Sequence, residues 1–104
     1  MKNKIIKKEA LEYFENNPDV TFAGYDDVRY FIGQLYNLGA KKVYVVNEYP
    51  NLNNENEFNY CVDTLYVVVC KNISTELAVF LIGKSRADEC HYLKQHKAIR
   101  LWWD

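Results

Sequence analysis

Apolar positions are densest in the middle of the chain. Within Tyr60 to Cys70, Val62, Leu65, Tyr66, Val67, Val68 and Val69 leave almost no polar alternation. A strand that is apolar on both faces needs cover on both. This segment therefore predicts a central strand in a sheet that the chain either wraps itself or shares with a partner through one face.

Periodicity assigns the flanking elements. Ile6, Ala10, Tyr13 and Phe14 recur at helical spacing, which predicts a first helix over Asn3 to Asn16, closed by Pro18. Asp19 to Ala23 reads as a short extended piece. Asp26 is the expected N-cap of a second helix, with Asp27 in its first turn, where the helix dipole favours negative charge. Val28, Phe31, Ile32, Leu35, Tyr36 and Leu38 form its apolar stripe, and Gly39 stands where a left-handed cap is needed. Val43 to Val46 are β-branched or aromatic, predicting a strand over Lys42 to Tyr49 that Pro50 stops.

Five of the ten residues from Pro50 to Asn59 are asparagine, with no glycine. That is a solvated connection rather than a two-residue turn, and the strands on either side of it are expected to pair antiparallel. Ser74 caps a third predicted helix, with Leu77, Phe80 and Leu81 on one face up to Gly83 or Ser85. The rival reading of the apolar run Leu77 to Ile82 is a strand. Arg86 to His96 reads as irregular or weakly helical. Ala98 to Trp103 is a last strand, with Ile99, Leu101 and Trp103 on one face and Arg100 and Trp102 on the other.

Counting Asp19 to Ala23 as a strand gives βαββαβ after an N-terminal helix. This is an α+β fold in the ferredoxin-like, split βαβ order. Without that strand the expectation is a three-stranded sheet with helices. In either case the crossover helices cover one face and leave the other for the first helix or for a second copy of the chain.

A length of 104 residues sets one domain, 1–104, with one core. The 49% apolar and 15% aromatic content excludes a disordered chain. Eleven asparagines and nine tyrosines, with many Lys and Ile, point to an A+T-rich bacterial or phage genome. Only Ile5 and Ile6 break the lysine-rich start, too few for a signal peptide, and no run approaches a membrane span, so a cytoplasmic setting is expected. Cys61 and Cys70 on one extended strand would lie about 30 Å apart, too far to bridge. With Cys90 they are expected to be buried, reduced thiols.

The net charge of −1 hides a segregation. Glu48, Glu55, Glu57 and Asp63 fall in a stretch without Lys or Arg, while Lys84, Arg86, Lys94, Lys97 and Arg100 fall near the end with His91 and His96. The glycines form neither a dinucleotide fingerprint nor a phosphate loop, and no cofactor is implied. Cys90 and His91 are adjacent, so on a regular element they point apart and cannot act as thiol and base. Asp88, Glu89, Cys90, His91 and His96 carry metal-binding atoms but match no established ligand spacing, and no metal site is assigned. Glu48, Asp63 and Asp104 lie on or beside strands; were they to converge, they would suit a metal-dependent hydrolase or nuclease.

Tyr44, Tyr60, Tyr66 and Trp102 are candidates for one sheet face. Aromatic platforms of that kind stack single-stranded bases, but a pI near 6.1 lacks the basic surround that nucleic-acid affinity requires. A buried core or a protein interface is the better reading of those rings, and the enrichment of Tyr and Trp at interface hot spots favours a partner. Ala87-Asp88-Glu89 and the ending Arg100-Leu101-Trp102-Trp103-Asp104, with Leu38-Gly39-Ala40, resemble a group of small bacterial proteins that finish in a similar Arg-Leu-Trp-Trp-Asp run. That is a family of unknown function, and the resemblance implies a stand-alone intracellular domain. The combined expectation is a non-enzymatic protein-interaction module, homodimeric through the free sheet face. Its binding residues are Tyr44, Tyr60, Tyr66, Arg100 and Trp102, and the carboxylate-dependent hydrolase is the alternative.

Overall fold

The computed structural model describes residues 4–23, 26–51, 59–70, 73–94 and 97–103; side chains at 4–7, 47–51 and 59–60 are outside the description. Its elements are β1 (Lys4–Glu9), α1 (Ala10–Asn16), β2 (Thr21–Phe22), α2 (Val28–Asn37), β3 (Lys42–Asn51), β4 (Asn59–Val68), α3 (Thr75–Val79), β5 (Glu89–Leu93) and β6 (Ala98–Trp102). A π turn over Phe80–Lys84 extends α3. The sheet runs β1-β3-β4-β6-β5 in antiparallel pairs, and β2 joins β4 in parallel.

The central strand lies where its apolarity demands. β4 has β3 along one edge, and β2 then β6 along the other. Its registers account for part of the apolar pattern read in sequence, namely the change of parity between Val62 and Leu65. From Tyr49↔Cys61 to Asn47↔Thr64 it advances three residues against two in β3, a β-bulge that resets the side-chain phase. Val62 precedes the bulge and Leu65 and Val67 follow it, and all three are fully buried on the same core.

That core lies between the sheet and the helices. α1, α2 and α3 contribute Tyr13, Phe14, Phe31, Ile32, Leu35 and Leu77 to a single cluster with Val43, Val45, Leu101 and Trp103 of the sheet layer. Trp103 sits at its centre, with ring centroids 4.9 Å from Phe22 and 5.7 Å from Phe31, both edge-to-face, the geometry the ring quadrupoles favour. Its indole N–H donates to the Ser85 carbonyl at 3.0 Å.

Several sequence expectations are corrected. The ferredoxin-like order is not established, because β6 pairs directly with β4 instead of with the short β2, and the sheet has more strands than that plan. The first helix starts at Ala10, not Asn3, because Glu9 both ends β1 and caps α1. Its carboxylate accepts from the amides of Glu12 at 2.8 Å and Leu11 at 3.1 Å. Asp27, not Asp26, caps α2, accepting from the Tyr30 amide. Pro50 does not stop β3, which continues through it to Asn51 with Pro50 paired to Tyr60. Arg86 to His96 contains strand β5.

Other expectations hold. Gly39 has φ of +112°, the left-handed geometry that ends α2. Residues 75–84 are helical, capped by Ser74 Oγ, which accepts from the Leu77 amide. Of the two covers expected for the opposite side of the sheet, helix one is ruled out, because it packs into the same core as the other helices.

Glu9 also ties the first helix to the second. The Tyr36 hydroxyl donates to its Oε2 at 2.6 Å and accepts from the Val43 amide at 3.0 Å. Burial pushes the Glu9 pKa up, but the Tyr36 hydroxyl, the two capping amides and the Lys42 charge together hold it below the ordinary value. Burial and the Glu9 hydrogen bond push Tyr36 up to about 12.

Candidate functional site

The face of the sheet away from the helices is organised by β6. Strand alternation sends Leu101 into the core with Trp103 and turns Arg100 and Trp102 outward, where both are half-buried. Residues directly opposite in a ladder share a face, so the registers extend this surface. Tyr44 lies opposite Tyr66, Tyr66 opposite Arg100, and Arg100 opposite His91, giving one row across four strands. Thr64, Trp102 and Glu89 form the neighbouring row.

Four of the five expected binding residues, Tyr44, Tyr66, Arg100 and Trp102, are thus brought together. The side chain of Tyr60 is outside the described residues. No helix among the described residues lies over this surface, and Tyr44, Tyr66, Val68 and Trp102 are each half-buried.

Polar contacts fix the orientation of the key rings and charges. The β4 bulge turns Asp63 toward the same side as Thr64. Asp63 accepts from Trp102 Nε1 at 3.1 Å and from Thr64 Oγ1 at 2.8 Å, one bond to each carboxylate oxygen. Arg100 Nη1 donates to Glu89 Oε1 at 3.3 Å, and His91 Nε2 lies 3.5 Å from the same oxygen. Exposed ion pairs of this kind contribute at most about 1 kcal/mol. Their main effect is to display an acid and a base side by side on one surface.

Of the carboxylates in the alternative reading, Asp63 alone has a described side chain. Asp63 is committed to Trp102 and Thr64, whereas the side chains of Glu48 and Asp104 lie outside the description. No group of three or more His, Cys, Asp or Glu able to hold a metal occurs among the described residues. Cys90 pairs in register with Leu101 and His91 with Arg100, so the two point to opposite faces. Partial desolvation by its neighbours pushes the Cys90 thiol up, away from thiolate. All three cysteines are unbridged, but Cys70 and Cys90 are exposed rather than buried, because they lie at the end of β4 and on edge strand β5.

The sequence pattern puts Arg100 and Trp102 on one strand face but does not bring in Glu89 and His91 as their neighbours. The available signal was the alternation Glu89, His91, Leu93, which places three side chains on one face of a strand. No helix among the described residues is long and apolar enough to cross a membrane. No protein-family model matches the chain, and no curated protein or solved structure shows significant similarity to it.

Proposed function

We propose that this chain is a small non-enzymatic interaction module that self-associates through the outer sheet face. The observation that supports this reading is the clustering of Tyr44, Tyr66, Arg100 and Trp102 on the face opposite all three helices. Tyrosine, tryptophan and arginine are the residues that dominate interface energetics. A twofold contact needs a self-complementary patch, and Glu89 beside Arg100 supplies both signs for a reciprocal exchange of ion pairs. Membership of the small bacterial group with the Arg-Leu-Trp-Trp-Asp ending, and a cytoplasmic setting, belong to the same proposal.

Sedimentation equilibrium at micromolar to submillimolar concentrations tests it. The intact chain should dimerise, and Tyr66→Ala should weaken the dimer by about 2 kcal/mol, roughly 30-fold, with the fold retained by circular dichroism. A chain that stays monomeric throughout removes self-association.

A further inference from the structure

A second surface, on the helix-bearing side of the same strands, has the composition of a ligand site. Tyr92 lies opposite Ile99 in the β5–β6 ladder and so faces the core side, yet it remains 59% exposed. α3 and its π turn pack against Phe31 and leave this end of the sheet open. The result is a cleft of about 790 Å³. Val69 and Ile99 form part of its lining, joined by the exposed Ile73 and Tyr92.

Lys41, Lys94 and Lys97 line the same cleft, and none of them has an acidic partner among the described residues. No acid among the described residues lines it. The groove between α2 and the π turn differs, because Asp27 lines it along with Lys84 and Arg86.

The geometry points to a binding site for a small amphiphilic anion, an apolar or aromatic body carrying a carboxylate, sulfonate or phosphate. Small-molecule sites typically enclose about 300–1,000 Å³, with mostly apolar walls and a few convergent polar groups. Here the apolar body covers Ile73, Val69 and Ile99 and stacks on Tyr92, while the anion neutralises the lysines. Uncompensated cations beside wet apolar surface select for both properties at once. The cleft is on the opposite side of β5 and β6 from Arg100 and His91, so it is independent of the proposed dimer face.

Cys70 lines the cleft and Cys90 does not, and both are exposed, which gives a built-in reporter. The probe is anilinonaphthalene sulfonate, read by fluorescence titration. Alkylation of each cysteine by iodoacetamide is followed in parallel by peptide mass analysis. The expected result is saturable binding that slows alkylation of Cys70 but not of Cys90. The triple variant K41Q/K94Q/K97Q should weaken binding about tenfold, since three screened charge contacts are lost. The three lysines are exposed, so the variant should keep the melting temperature of the parent. Tyr92→Ala should weaken binding without touching the charges.

Equal affinity of parent and triple variant, or of the uncharged phenylnaphthylamine analogue, overturns the anion site. Unchanged Cys70 alkylation at saturating probe overturns its location. Protection of Cys70 by a single-stranded oligonucleotide but not by the sulfonate also overturns the small-ligand assignment. Loss of the dimer in Tyr66→Ala with probe binding intact separates this site from the outer face.

Discussion

Trp102 and Trp103 are adjacent in sequence and have the same side chain, but they sit in different environments. Trp103 is 3% exposed, enclosed by Phe22 and Phe31, and its indole N–H is satisfied by the Ser85 carbonyl. Trp102 is half-buried on the outer face, with its N–H on the Asp63 carboxylate. One residue of strand alternation separates a ring enclosed by the core from a ring on the outer face. What differs is the partner surface, because among the described residues the helices lie on one side of β6.

The sharpest way to break this comparison is to truncate each ring. Trp103→Ala should destabilise the fold by about 3–5 kcal/mol in urea titration, whereas Trp102→Ala should cost less than half as much. Equal losses would mean that both rings are core. A smaller effect tests the hydrogen bond that orients the outer ring. Asp63→Ala leaves the Trp102 N–H without its acceptor and should cost about 1–2 kcal/mol. A double-mutant cycle with Trp102→Phe should recover part of that loss, and strict additivity would disprove the coupling.

The gentlest test uses pH, at the Glu9–Tyr36 contact that ties the helices together away from both tryptophans. The Glu9 pKa is lowered in the fold, so its contribution is present above its ordinary 4.5 and is lost as pH falls below it. Tyr36 is raised from 10 to about 12, so its contribution is present below pH 10 and is lost as pH rises toward 12. Thermal melts across pH should show both declines. Glu9→Gln should flatten the acid limb and Tyr36→Phe the alkaline one, while neither limb should change in Trp102→Ala.

The parts legible in sequence are those set by long, one-sided apolar patterns. α2 carries three fully inward residues and a glycine that ends it, and β6 alternates cleanly, so both elements and the inward and outward sides of β6 could be read directly. The edge strands could not. β5 has four exposed residues out of five and is held by backbone pairing to β6, which leaves no trace in side-chain pattern. β1 was hidden because Ala10, Tyr13 and Phe14 do follow a helical period, and Ile6 extended it by coincidence across the turn at Glu9. Asp26 and Asp27 are equivalent as caps by chemistry, and tertiary placement chose between them. The rows of the candidate face were half legible. Tyr44, Tyr66, Arg100 and Trp102 follow from alternation, while Glu89 and His91 required the β5–β6 register, and the role of Asp63 required the bulge.

The π turn after α3 amounts to one extra residue in an otherwise α-helical stretch, closed by the Ser85 amide donating to the Phe80 carbonyl at 2.7 Å. Deleting a residue there would regularise the helix and replace the wide bond by the ordinary α pattern. Ser85, whose carbonyl accepts from the Trp103 indole and whose hydroxyl donates to the Leu81 carbonyl, closes that wide turn. The irregular turn is thus the place where the last helix hands its final carbonyl to the aromatic core.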